Sequence, residues 1–429
     1  MDISVLGSGY VGTTVAACFA DLGHDVTAID IDEDIVAALN AGEAPIHELG
    51  LADLVATHAG ENLTATTDYG AVPATDVTFM ALQTPSNEDG SLDTAAVESA
   101  ATMLGEAIAD EEYHRVVVKS TVVPGTTEDV VAPLVAEAAG TTVGEGVEFG
   151  MNPEFLREGS AVSDFQHPDK IVLGAESETM HETMRAVFDP LVERVETDVV
   201  ETGIREAEAI KYANNCLLAT KISAMNEIGN VCKEYGVDAY EVADAVGLDE
   251  RIQRAFLDSG VGFGGSCFPK DVAAFTAAGR DADYDPSLLD AVLAVNEKQP
   301  RRLLALLDEH ADVAGERVAV LGLSFKPGTD DVRNSRAIPV IEGLQERDAA
   351  VVGYDPVATA EMRERFPEVE YAASPGEALD GAVAALVVTD WDEFAALDDE
   401  FDRMADPVVV DGRHIVSRRE GLVYEGLTW

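Results

Sequence analysis

Apolar positions along this chain change period twice. Residues 2–6 (Asp-Ile-Ser-Val-Leu) are a short apolar run that reads as a buried strand, followed by a glycine turn and a helical pattern from about Val11 to Leu22. Val26–Asp30, Val77–Leu82, Val116–Ser120 and Ile171–Gly174 read as further strands, with a helical stretch from Leu92 to Ala109. Strands alternating with helices predict a parallel, doubly wound sheet. From Ile204 to about Gly247 the period shifts: Ala, Ile, Leu and Met recur at helical spacing with brief breaks, and a helix resumes at Ser287 and runs to about Asp308. This all-helical middle is where two subunits are expected to meet. Alternation restarts at Val318, with strands at Val318–Leu323, Val351–Tyr354, Ala384–Val388 and Val408–Val410 and a helix at Ser335–Glu346. The break falls near Asp312-Val313-Ala314-Gly315, and Val320-Leu321-Gly322 weakly echoes Val5-Leu6-Gly7. The expected α/β organisation is an N-terminal Rossmann-type doubly wound sheet (1–202), a central helical dimerisation segment (203–312) and a smaller C-terminal Rossmann-like domain (313–429).

Charge narrows the partners. The chain has 429 residues, 81 acidic against 28 basic, for a formal charge of -53. The acids are spread through every segment, and lysine is nearly purged. Such a coat repels nucleic-acid phosphates and anionic membrane surfaces. It fits a protein adapted to very high salt, where counterions screen the self-repulsion. An acidic nucleic-acid mimic would leave the glycine motifs below without a purpose. Cys18, Cys216, Cys232 and Cys267 form no C-x-x-C pair and no zinc-spaced Cys/His cluster, so no metal is expected. The first three sit in apolar helical patterns and read as core thiols. A strand begins within two residues of the N-terminus with no charged leader, and no apolar run spans a bilayer, so a cytoplasmic, reduced protein is expected.

Gly7-Ser8-Gly9-Tyr10-Val11-Gly12 fits G-x-G-x-x-G, directly after a strand and opening a helix. The first glycine permits the tight turn, and the second lets backbone approach a pyrophosphate seated on the helix N-terminus. Asp30 closes the second strand about 20 residues on, where an acid bonds the adenosine ribose. Asp32, Glu33 and Asp34 would repel a 2′-phosphate, so NAD is favoured over NADP. Gln83-Thr84-Pro85 and Lys119-Ser120-Thr121 lie at strand ends on the carboxyl edge, where such sheets bind ligands.

At the other end, Gly262-Phe263-Gly264-Gly265-Ser266-Cys267-Phe268-Pro269-Lys270-Asp271 puts a cysteine after a glycine run and just before a predicted helix start. A helix N-terminus and a nearby cation favour a thiolate, so Cys267 is a candidate nucleophile. Asn152-Pro153-Glu154-Phe155-Leu156-Arg157-Glu158-Gly159 carries two acids four residues apart, and its Asn-Pro and Phe-Leu pairs favour a half-buried loop over a helix. Lys211 and Asn215 stand at i,i+4 in a helical pattern, where two donors on one face suit an oxyanion. Phe325-Lys326, followed by Asp330, Asp331 and Arg333, replaces the glycine turn of the second sheet. With Arg251 and Arg413 these cations make a basic island in an acidic chain, which suggests an anionic substrate.

Taken together, G-x-G-Y-V-G, K-S-T-V, N-P-E-F-L-R-E-G, K-Y-x-N-N, G-F-G-G-S-C-F-P-K-D and F-K-x-x-T-D-D-x-R resemble the UDP-glucose/GDP-mannose dehydrogenase family across essentially the whole chain. Phe268 after the cysteine resembles its UDP-glucose branch. The resemblance implies a four-electron oxidation of UDP-glucose to UDP-glucuronate with two NAD+, through a thiohemiacetal and thioester on Cys267. It implies that Lys211 and Asn215 stabilise oxyanions, that Asp271 and Thr121 position a water, and that Glu154 is the base for hydrolysis. It places Gly7, Gly9, Tyr10, Val11, Gly12, Asp30, Thr84, Pro85, Thr121, Glu158, Lys270 and Arg333 at NAD. It places the sugar nucleotide on Glu154, Phe155, Leu156, Arg157 and Glu158, on Lys211 and Asn215, on Phe256, Leu257, Asp258, Ser259, Gly260 and Gly264, and on Phe325, Lys326 and Arg413. Arg251 matches a residue supplied across the interface of a homodimer or higher homo-oligomer. Ile35 stands where the family often has a basic residue near the ribose, and Gln253 where it favours glycine. GDP-mannose or a UDP-N-acetylhexosamine are the alternative substrates, and a two-electron hydroxyacid-type dehydrogenase shares the layout.

Overall fold

The apolar runs pair into two sheets. In the computed structural model, which describes residues 1–429, the first holds β1 (Asp2–Leu6), β2 (Asp25–Ile29), β3 (Leu63–Thr66), β4 (Val77–Met80), β5 (His114–Val118), β6 (Val147–Met151), β7 (Lys170–Ala175) and β8 (Asp198–Thr202). Their order is β3-β2-β1-β4-β5-β6-β7-β8. Strand residues alternate between two cores, as a sheet covered on both faces requires. Ile3 and Val5 pack with Val15 and Phe19, whereas Leu6 packs with Met80, Val116 and Val118 on the opposite face.

One expectation needs correction: the sheet is not wholly parallel. β6 meets β7 antiparallel, through only two residue pairs, Gly150↔Ala175 and Met151↔Gly174. Pro153 lacks the N–H that would extend this ladder, so the chain leaves the sheet as a loop from 152 to 157. That loop is the Asn152–Gly159 motif. β7 and β8 then pair in parallel.

The chain divides into two compact units, Met1–Ala213 and Asn214–Trp429. The division falls within a long helix, Ile204–Glu234. The second unit continues with helices Ala239–Gly247, Phe268–Asp281 and Ser287–Asp308. Its sheet comprises β9 (Arg317–Leu321), β10 (Ala350–Tyr354), β11 (Glu370–Tyr371), β12 (Ala384–Val387), β13 (Val408–Asp411) and β14 (Val423–Gly426). The order β11-β10-β9-β12-β13-β14, all parallel, repeats the first six strands of the other sheet. The echo at the two openings is therefore topological. Gly7 and Gly322 both take positive φ (87° and 91°) after the first strand. Each donates its N–H at 2.8 Å to the last strand residue next door, Ile29 or Tyr354. No helix is long and apolar enough to cross a membrane.

Candidate active site

The first unit builds a cradle from its glycine turn. A Cβ on Gly12 would lie 1.8 Å from the Gly7 carbonyl oxygen, and one on Gly7 would lie 2.9 Å from Ala81 O. Both positions must therefore be glycine. A Cβ on Gly9 would meet only the flexible Gln83 side chain, at 3.3 Å, so the second glycine keeps the mouth of the helix Tyr10–Asp21 open. Asp30 Oδ2 accepts the Ser8 N–H at 2.5 Å and Oδ1 the Asp32 N–H at 3.0 Å. The acid thus fixes the turn and retains lone pairs for a ribose hydroxyl. Ser8 Oγ is buried without a partner in this same turn. These residues fit a dinucleotide whose pyrophosphate sits on the helix N-terminus. The Thr84 hydroxyl donates to the Thr121 carbonyl at 2.9 Å, tying two strand-end loops together, with Pro85 following.

Charge is concentrated where β5 and β6 end. Lys211, 3% exposed, donates from Nζ to Glu154 Oε1 and to the Glu154 carbonyl, both at 2.7 Å. Burial pushes the Glu154 carboxyl up, but the Lys211 charge and hydrogen bond, the Leu156 N–H and the Lys119 charge outweigh it and hold it below its usual range. Lys119 donates to Asn152 Oδ1 at 2.8 Å, and Asn152 Nδ2 donates to the Val172 carbonyl at 2.9 Å. Burial lowers the Lys119 ammonium to about 8, against the upward pull of Glu154. Phe155 lies under two cations, Lys170 at 4.2 Å and Lys211 at 5.5 Å from the ring centre. Arg157 is engaged by Asp164, with contacts at 3.1 and 2.6 Å. Glu158 sits in a turn, so the two acids of this motif share no helix face.

In the second unit Cys267 is the N-cap of the helix Phe268–Asp281, with Pro269 in its first turn. Of the four thiols it is the exposed one, 3.6 Å from Ser266 Oγ. Burial raises Cys18 and Cys216 to about 12, which removes them as nucleophiles near neutral pH. Asp271 is 1% exposed, and its N–H donates to the Cys267 carbonyl at 2.8 Å. Its carboxylate accepts from Asn215 Nδ2 and from Lys270 Nζ, each at 2.7 Å. Lys211 and Asn215, one turn apart on the long helix, thus each grip a carboxylate.

The other expected substrate residues fall in the second unit too. Leu257 and Ser259 are buried, and Phe256 is held at φ 64°. Asp258 accepts from Arg254 at 2.6 Å. A Cβ on Gly260 would lie 2.6 Å from Gly412 O, and one on Gly264 2.4 Å from Asn334 O. Lys326 lies over the neighbouring Phe325 ring at 5.6 Å. Arg333 and Arg251 are exposed and bidentate to Asp331 and Asp249. Arg413 Nε donates to the Val388 carbonyl at 2.7 Å.

Sequence reasoning missed Glu48. Its buried carboxylate accepts from the Tyr10 hydroxyl, the Gly159 N–H (2.8 Å) and the Ala161 N–H (3.0 Å). It ties the glycine turn to the end of the Asn152–Gly159 loop. Among 81 acids nothing local marks it. Lys170 carried one signal, the scarcity of lysine.

A dinucleotide cradle in one unit is the mark of a dinucleotide-dependent oxidoreductase, and the other unit carries an exposed thiol at a helix N-cap. The chain matches three models of the UDP-glucose/GDP-mannose dehydrogenase family: the NAD binding domain over residues 1–192, the central domain over 205–298 and the UDP binding domain over 319–418. It belongs to that family, and NAD is its cofactor. It is 61% identical over 429 residues, covering 100% of both chains, to the UDP-glucose 6-dehydrogenase AglM of Haloferax volcanii. It is 41% identical to a UDP-glucose 6-dehydrogenase of Rhizobium meliloti, across 98% of this chain and 97% of that one. A solved UDP-glucose dehydrogenase of Pyrobaculum islandicum superposes with a TM-score of 0.93 at 44% identity, over 100% of this chain and 98% of that one.

Proposed function

We propose that this enzyme oxidises C6 of UDP-glucose to the carboxylate of UDP-glucuronate, with Cys267 holding the carbon between two oxidation steps. The observation that carries this reading is Cys267 itself: the exposed thiol caps a helix and has a buried carboxylate, Asp271, one turn inside. NAD+, held at the turn from Gly7 to Gly12 and by Asp30, would supply the hydride acceptor for both oxidations, a second molecule serving the second one.

After the first oxidation, the Cys267 sulfur adds to the aldehyde carbon and the carbonyl oxygen takes a proton, giving a thiohemiacetal. That adduct has a hydride to give, which a free aldehyde lacks until a nucleophile adds. The second oxidation leaves a thioester. Water then adds to its carbonyl carbon, the C–S bond breaks, and the acid departs with the thiolate restored. The sum is one alcohol, two NAD+ and one water giving one carboxylate, two NADH and three protons. Asn215 and Lys211 serve as donors to the oxygen that carries charge in each adduct. Glu154, held ionised by Lys211, is the base that takes the proton of the attacking water, and Asp271, whose carboxylate accepts hydrogen bonds from Asn215 and Lys270, orders that water. Thr121 assists from its strand end, and Arg251, Phe325, Lys326, Arg333 and Arg413 serve nucleotide phosphates and hydroxyls. In Cys267→Ser, acid formation should fall roughly 10³-fold or more while NAD still binds. Unimpaired acid formation by that variant would favour a two-electron dehydrogenase instead.

The working unit is a homodimer, in a reduced, cytoplasmic setting. Leu217, Ala224, Ile228 and Val231 on the long helix, with Tyr235 in the turn just after it, form an exposed apolar stripe at steps of seven, four, three and four. A second copy of this stripe would cover it.

A further inference from the structure

From Ser259 to Gly265, just before Cys267, the chain forms no helix or strand, yet most of its peptide groups are gripped. Three buried amides do this from one side, and a fourth braces one of them. Asn226 Oδ1 accepts the Gly260 N–H at 2.7 Å. Gln299 Nε2 donates to the Gly260 carbonyl at 2.8 Å, and its Oε1 accepts from Asn230 at 2.7 Å. Asn296 takes both polar groups of Phe263, accepting its N–H at 2.8 Å and donating to its carbonyl at 3.0 Å. All four are at most 5% exposed. Asn226 and Asn230 come from the long helix, Asn296 and Gln299 from the helix Ser287–Asp308.

The opposite side is held by the loops of the second sheet. Gly412 O accepts the Val261 N–H at 3.1 Å, and Arg413 Nη2 donates to the Gly262 carbonyl at 3.2 Å. Arg333 O accepts the Gly265 N–H at 2.9 Å, and Asn334 Nδ2 donates to the Gly265 carbonyl at 3.0 Å. Gly262 sits at φ 102°, and a Cβ there would lie 2.5 Å from Asn296 Oδ1. An amide both donates and accepts, so it can hold a peptide by its N–H and its carbonyl together. A carboxylate or ammonium could hold one end only, and would bury a charge two to seven residues from the thiol.

We propose that Asn226, Asn296 and Gln299 are positioning residues for Cys267. They fix the backbone of Gly260–Gly265, so that the thiol and the glycines beside the sugar nucleotide keep one frame. The inference rests on the reading of Cys267 as nucleophile. Because an amide does not titrate, replacing Gln299 by methionine lowers the rate without moving the pH profile.

The test uses the full-length enzyme with NAD+ and UDP-glucose. Asn296→Asp loses the bond to the Phe263 carbonyl, and Gln299→Met loses both of its bonds at similar volume. Leu379→Ala, in the second sheet's other apolar core, is the control for lost stability. Misplacing a reacting group by about 1 Å lowers turnover ~100-fold, and that loss is expected in both amide variants, with the KM for NAD+ within about twofold. UDP-glucose should also cease to shield Cys267 from iodoacetamide, read by peptide mass mapping. Leu379→Ala should retain its turnover at an equal or larger fall in Tm. Gln299→Met decides alone if Asn296→Asp does not accumulate as folded protein. Turnover within about threefold of wild type in the amide variants, or an equal loss in Leu379→Ala, overturns the proposal. Acid formation by Cys267→Ser sinks the nucleophile reading instead, which keeps the two failures apart.

Discussion

Lys119 is a small instance of how burial turns a residue into a reporter. Its ammonium, buried and lowered to about 8, sits on Asn152 and acts on Glu154. Folding disfavours its protonated form. Below pH 8 both folded and unfolded chains carry the proton, and the full burial penalty applies. Between about 8 and the ordinary value of 10.5 the unfolded chain still binds a proton that the native state has released, so this residue makes stability rise with pH across that window. Lys119→Met should flatten the segment, which denaturant unfolding at pH 7.5, 9 and 10.5 would resolve. An unchanged slope would remove Lys119 from the account. Lys211 predicts a different result. It is the ion-pair partner of a buried carboxylate, and truncating one member of such a pair costs about 3–5 kcal/mol. Lys211→Ala should therefore lose both activity and Tm, whereas Lys211→Ala with Glu154→Gln should regain much of the Tm and none of the activity. Of this cluster, Lys119, Glu154 and Lys211 were readable as motif residues. Glu48 was not, because its importance lies in three donors that converge from positions 10, 159 and 161.

Elements were legible in the sequence where burial is two-sided. β1, β4, β5, β9 and β12 are almost wholly buried, and their apolar runs are plain. β8 (Asp-Val-Val-Glu-Thr) is mostly exposed, β3 carries two threonines, and β11 is two residues long. Such edge strands leave little hydrophobic pattern, so their existence follows from pairing with a neighbour. The antiparallel β6–β7 join was also invisible, since direction depends on where a connection re-enters the sheet. Two element-scale outcomes follow. Gly12→Ala puts a methyl against the Gly7 carbonyl, a rigid backbone atom, and should abolish NAD binding by titration calorimetry. Tight binding by Gly12→Ala would mean that the turn is looser than its geometry. Ile228→Asp with Tyr235→Asp places charge in the exposed stripe at the end of the long helix and the turn after it, and should give monomers by sedimentation. Dimers unchanged by the pair would locate the interface elsewhere.

For the whole molecule, the charge of -53 and the proposed covalent chemistry make separate demands. Self-repulsion on this scale is relieved by counterions, so Tm should rise steeply from dilute buffer to molar salt. Full stability in dilute buffer would contradict adaptation to salt. The repeated sheet order shows why the chemistry is divided as it is. The first glycine turn leaves its helix mouth open, whereas in the second sheet Asp355 accepts from Leu323 N–H, Ser324 N–H and Oγ, and Trp391, which closes the equivalent turn. The second sheet therefore does not repeat the open dinucleotide cradle of the first. The central claim is that one enzyme carries a single carbon through two oxidations without releasing the aldehyde. Following NADH at 340 nm in high salt with limiting UDP-glucose and excess NAD+ tests it most directly. The account predicts two NADH and one UDP-glucuronate per UDP-glucose, and one NADH per sugar with accumulating aldehyde would contradict it.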